Sequence, residues 1–124
     1  IQWRAPEIHT AVKTGFSYVQ TPHVLIYVPG RKMPLKITGE KMKFDALRKD
    51  FILEDNVIVH VNGEILKTGF MAFDSQRMEL RSFDRFTCQT KDRFYRGHGF
   101  HGLLQNRELT LYHIERGHRR TLKL

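Results

Sequence analysis

Val57-Ile58-Val59-His60-Val61-Asn62-Gly63-Glu64-Ile65-Leu66-Lys67 decides the fold. Two runs rich in β-branched residues flank Asn-Gly, the dipeptide best suited to the two positive φ angles of a type I′ turn. A two-residue loop fixes the register: Val61 faces Glu64 and Val59 faces Leu66. Val57, Val59 and Leu66 then form the more apolar face, with His60 beside Ile65 on the other. The stretch reads as a β-hairpin with one face in a core.

The neighbouring segments follow the same plan. Val24-Leu25-Ile26-Tyr27-Val28 is an apolar run closed by Pro29-Gly30, a strand ending in a turn. Phe70 to Phe73 reads as a strand, Asp74-Ser75-Gln76 as a turn, and Arg77 to Phe83 as a strand in which Met78 and Leu80 alternate with charged residues. Glu108 to Glu115 and Arg119 to Leu124 read as strands around a turn at Arg116-Gly117-His118. One helix is expected from Glu40 to Asp50, where Met42, Phe44, Leu47 and Phe51 make a stripe. The expected fold is therefore mainly β, or α+β with one short helix: a single domain over residues 1–124, a small antiparallel barrel or sandwich built from hairpins.

Composition bounds the rest. The 124 residues are 40% hydrophobic, enough for one core, and carry a formal charge of +8. No apolar run approaches the roughly 18 residues that span a bilayer, so membrane insertion is not expected. The chain opens on Ile1 with no charged-then-apolar leader. Its single cysteine, Cys88, excludes an intrachain disulfide and fits an intracellular, reducing compartment such as cytoplasm or an organelle matrix.

The charge is uneven. Residues 1–76 hold 10 Lys/Arg and 8 Asp/Glu, whereas residues 77–124 hold 11 and 5, nine of the eleven being arginine. Asp-Arg-Phe occurs twice, at 84–86 and 92–94, and basic and aromatic residues interleave from Arg81 to Gly102. Cations on phosphates with aromatic faces under bases is how single-stranded nucleic acid is held. Strand packing is expected to send Phe83, Phe86 and Phe94 into the core, and Tyr95 and Phe100, beside the glycine-rich stretch, are the surface aromatics. The expected function is a non-enzymatic RNA-binding subunit of a ribonucleoprotein particle. Its expected contacts are Arg81, Arg85, Arg93, Tyr95, Arg96, Phe100, Arg116, Arg119 and Arg120.

Arg96-Gly97-His98-Gly99-Phe100-His101-Gly102-Leu103 resembles the core of the ribonucleoprotein signature of RNA-recognition motifs and cold-shock domains. His98 stands where the signature has a stacking aromatic and His101 where it has an aliphatic residue. The intervening segment has hairpin periodicity where an RNA-recognition motif needs a helix, and a cold-shock domain orders its motifs the other way. No family and no residue role is carried over from it.

Two further functions remain open. A metal-independent ribonuclease would use His98, His101, His113 or His118 as acid and base, with Arg116, Arg119 or Arg120 on the phosphorane. A scaffold subunit would meet an acidic partner with its basic face and pair with it through edge strands. No cofactor, metal site or small-molecule substrate is expected: the histidine spacings match no zincin motif, and no phosphate loop or nucleophile elbow is present.

Overall fold

The computed structural model describes residues 2–4 and 7–11 as backbone, and residues 16–117 and 119–124 in full. Among them are twelve antiparallel strands in one sheet, a 3₁₀ turn at Leu104–Asn106, and no α-helix. The strands are β1 (Gln2–Arg4), β2 (Glu7–Ala11), β3 (Phe16–Gln20), β4 (His23–Ile26), β5 (Leu35–Thr38) and β6 (Lys41–Asp45). Then come β7 (Asp50–Val61), β8 (Glu64–Asp74), β9 (Glu79–Gln89), β10 (Phe94–Leu103), β11 (Glu108–Leu111) and β12 (Arg120–Lys123).

The β7–β8 hairpin has the expected register, with Val59 opposite Leu66 and Val61 opposite Glu64. Asn62 and Gly63 take φ of 48° and 81°, the type I′ conformation that Asn-Gly favours. Val57, Val59 and Leu66 are buried.

Four long strands, β7 to β10, carry both layers of a sandwich. The first half of β7 pairs with β6 and its second half with β5, so the sheet forks there. One branch continues through β3 to β2, the other through β4 to β1. The register shifts by a residue between Glu54 and Val57, between Thr68 and Ala72, and between His98 and Phe100. Such bulges bend strands and increase their twist, and here they form one corner across the sheet. Buried hydroxyls take up backbone groups that the bulges release: the Thr68 hydroxyl donates to the Arg85 carbonyl at 2.9 Å, and the Asp84 amide donates to Ser82 Oγ at 3.1 Å. Inside, one apolar cluster runs through both halves of the long strands. Phe51 stacks on Phe73 at 5.0 Å, and Phe86 meets Phe100 edge-on at 6.1 Å.

The helix expected from Glu40 to Asp50 is instead the hairpin β6–β7. Phe44 pairs with Phe51 and Met42 with Leu53, while Leu47 points to solvent at 88% exposure. The Asp45 carboxylate accepts from the Leu47 and Arg48 amides at 3.0 and 3.3 Å, and Lys49 takes a φ of 60°. That side-chain-capped turn replaces helical hydrogen bonds with local ones. The architecture is the sandwich rather than the barrel, since strands β1, β2 and β12 each pair on one side alone among the described residues.

The last strands have other bounds than expected: β9 runs on to Gln89, and β11 and β12 are shorter. Strand β9 begins at Glu79, because Met78 adopts a φ of 52° in the preceding turn. Strand β11 stops at Leu111, and residues 112–115 run alongside the first half of β10. Tyr112 donates its amide to Gly99 and accepts from the His98 amide, and Glu115 donates to Arg96.

Candidate functional site

Among the described residues, strand β12 forms an open edge of the sheet. Its inner side pairs with β11, Thr110 opposite Thr121, and Leu122 packs against the core. Arg120, Thr121 and Lys123 are exposed. An unpaired edge offers a row of backbone donors and acceptors, and cationic side chains on it discourage indiscriminate pairing.

Beside this edge lies a cleft of about 510 Å³ lined by Arg93, Tyr95, Glu115, Arg116, Arg119 and Arg120. Ile114, nearly buried, anchors the segment before Arg116 to the core. The pairing of Glu115 with Arg96 then brings Arg116 alongside the start of β10. The Arg120 guanidinium stands 4.9 Å over the half-buried Tyr95 ring, a cation–π contact. Five residues singled out from the sequence thus share one cleft.

Arg85 and Arg96 lie in a second trough, of about 630 Å³, with Lys67 and His98. Register assembles it: Lys67 is opposite Thr87, Thr87 opposite Arg96, and Arg85 opposite His98. Arg85 Nε donates to His98 Nε2 at 3.2 Å. Lys67 escaped notice in the sequence because only the pairing of β8 with β9 brings it to these arginines.

The remaining two sequence-named residues behave differently. Arg81 is engaged with Glu79, Nη2 to Oε2 at 2.8 Å. That hydrogen bond, aided by His101, holds the Glu79 carboxyl below its ordinary range despite partial desolvation. Phe100 is 1% exposed and sits in the core, so it offers no surface for stacking. Conversely, Phe83 and Phe94, expected inside, are 82% and 52% exposed, and only Phe86 of the three is buried. Phe83 turns outward by the ordinary alternation of β9, whose Leu80, Ser82, Phe86 and Cys88 are buried. In β10 the alternation breaks at Gly99, whose φ of +81° marks the bulge. Before it Tyr95 and Gly97 face inward; after it Phe100 and Gly102 do, so the alternation changes parity within one strand.

His98, His101 and His113 line a third depression, of about 440 Å³, with Arg81, Phe83 and Tyr112. His118, named for the ribonuclease alternative, lies outside the described residues. Among those described, no three His, Cys, Asp or Glu side chains are grouped to hold a metal ion. Cys88 is buried, and desolvation pushes its thiol up to about 11.

Residues 2–119 match the protein family described as lipopolysaccharide-assembly, LptC-related. No curated protein matches the chain. The family match overturns the expected RNA-binding, ribonucleoprotein function and RNA as the partner. Arginines interleaved with aromatics recognise phosphate and planar or apolar rings in general, and nucleic acid is only one bearer of those groups. The expected intracellular, reducing compartment falls with it, because lipopolysaccharide assembly belongs to the cell envelope. A lone buried thiol has no intrachain partner in either redox environment, so Cys88 carried no information about the compartment. The chain belongs to the LptC-related family of lipopolysaccharide-assembly proteins.

Proposed function

We propose that the protein is a non-enzymatic scaffold subunit of a lipopolysaccharide-assembly apparatus, joined to a neighbouring protein by strand addition at β12. The family match over residues 2–119 carries this reading. The outer side of β12 supports it: among the described residues no strand pairs there, and only the Lys123 carbonyl is engaged, by the Asn62 side chain. Main-chain pairing at a sheet edge supplies affinity without a deep pocket. The arginine cleft beside that edge supplies the charge complementarity: Arg93, Arg116, Arg119 and Arg120 meet acidic side chains of the partner, steering encounter and fixing register.

A photo-crosslinking amino acid at Thr121, on the edge, tests this against the same probe at Lys36, an exposed position on β5, which is paired on both sides. In cells that make lipopolysaccharide, the Thr121 probe is expected to capture another assembly protein and the Lys36 probe is not. Arg119→Glu with Arg120→Glu is expected to cut that capture at least tenfold. Equal adducts from both positions, or none from Thr121, would refute strand addition at this edge.

A further inference from the structure

The outer face of the corner, which meets the cleft beside β12 at Glu115, holds cations that no carboxylate among the described residues pairs with. Lys67, Arg85 and Arg96 project from three adjacent strands into the trough of about 630 Å³. All three are exposed, and among the described residues none has a carboxylate within ion-pair distance. Glu115 is the one carboxylate lining that trough. Like charges on neighbouring strands cost stability, and that cost is recovered when an anion sits between them. The trough continues past His98, which also lines the depression of about 440 Å³. There the surroundings change from cationic to mixed. Phe83, turned outward beside the bulge, shares the depression with Ser82, Tyr112, His101 and His113. An exposed aromatic ring ringed by hydroxyl and imidazole groups suits the C–H face and hydroxyls of a pyranose. Each depression lies in the size range of small-ligand pockets.

We propose that these two depressions form one site for a phosphate-bearing saccharide, its phosphate on Lys67, Arg85 and Arg96 and a sugar ring on Phe83. This deepens the reading of the protein as a lipopolysaccharide-assembly subunit, and rests on it, by naming the part of the glycolipid that the outer face recognises. Arginine's planar fork matches two phosphate oxygens at once. The Arg85–His98 hydrogen bond holds the guanidinium at the junction of the two halves. An acidic peptide would satisfy the cations and leave Phe83 unused.

The test is titration of the isotope-labelled chain, followed by amide chemical shifts, with four probes: a phosphorylated glucosamine disaccharide without acyl chains, the same disaccharide without phosphate, inorganic phosphate, and an oligoglutamate peptide. The phosphorylated disaccharide is expected to shift residues 67, 83–87 and 96–101, and to bind at least tenfold more tightly than each other probe. Arg85→Gln with Arg96→Gln is expected to weaken it at least tenfold and Phe83→Ser several-fold, with urea midpoints no lower than the wild type's, because all three side chains are exposed and the double variant relieves like-charge repulsion. Shifts confined to other residues, or variants that bind like the wild type, would overturn the site. Inorganic phosphate binding as tightly, indifferent to Phe83→Ser, would reduce it to an anion site and overturn the saccharide; tighter oligoglutamate would assign the face to a protein. Edge crosslinking at Thr121 separates the two failures: adducts there without disaccharide binding sink this site alone, whereas absence of both sinks the assembly reading as well.

Discussion

Asn62 and Lys123 lie 61 positions apart, and the Asn62 side-chain amide donates to the Lys123 carbonyl at 3.3 Å. The same Asn62 side chain accepts from Arg31 Nη2 at 2.8 Å through Oδ1. A residue selected for its turn conformation thereby ties the β7–β8 turn to the edge strand β12 and to the loop after β4. The position of the edge depends on a turn far away in the chain.

Replacing Asn62 separates its two duties. Asn62→Gly keeps the left-handed conformation and loses both side-chain hydrogen bonds, each worth about 0.5–1.5 kcal/mol. Asn62→Ala adds backbone strain of about 1–2 kcal/mol. The alanine variant is therefore expected to be the less stable in urea denaturation. Both variants should speed amide exchange in β12 relative to β8; protection of β12 unchanged in Asn62→Gly would show that the tether does not hold the edge.

Gly97 is required by packing. A β-carbon there would lie 2.7 Å from both Phe86 Cζ and the Tyr112 carbonyl oxygen. Gly97→Ala is expected to cost about 1–3 kcal/mol through overpacking, and to free residues 112–115 from β10. Gly63 makes the control, with nothing within 4 Å of such a β-carbon but a φ of +81°. Gly63→Ala should cost about 1–2 kcal/mol, with no effect on the 112–115 segment. Thermal unfolding together with exchange at residues 96–99 and 112–115 distinguishes the two.

The phenylalanines separate by side of the sheet. Phe100→Ala is expected to destabilise by about 3–5 kcal/mol, since it empties the space against Phe86. Phe83→Ala should change stability by no more than about 0.5 kcal/mol, because the ring is in solvent. Comparable losses in urea midpoint for both would contradict the burial of Phe100 and the exposure of Phe83.

Two groups make stability depend on pH from opposite sides. The Glu79 carboxyl is held below its ordinary value of 4.5 by Arg81 in the folded chain. The unfolded chain therefore binds the proton first, and the contribution of Glu79 is present above 4.5 and is lost as the pH falls through the lowered folded value. Glu79→Gln should flatten the acid limb of a stability profile. Cys88 works the other way: its thiol is raised from 9.0 to about 11 by burial, with Glu64 adding to the shift. Its contribution is complete below 9.0 and disappears as the pH climbs through about 11. Cys88→Ala should flatten that alkaline limb, and maleimide should label the native thiol only at the rate of unfolding. Rapid labelling of the native chain at neutral pH would contradict its burial.

What the sequence by itself determined was local. The β7–β8 hairpin was legible because Asn62 and Gly63 carry their own turn chemistry and a two-residue loop leaves one register. The β class followed from β-branched and alternating runs at short spacing, joined by Gly- and Asp-containing turns. Between Glu40 and Asp50, helical spacing competed with pairing to β3 and β7, and tertiary pairing won, leaving Leu47 in solvent. The arginines were visible as a charge excess, yet their sorting into a cleft by the edge and a trough at the corner waited on strand registers that join Arg93 to Arg116 and Lys67 to Arg96. Which aromatics of β10 meet solvent waited on Gly99, because a bulge shifts alternation by one residue and period-two patterning assumes that no such shift occurs. Charge and turn propensity belong to residues and their neighbours in the chain, whereas face, burial and convergence are set by pairings between distant segments.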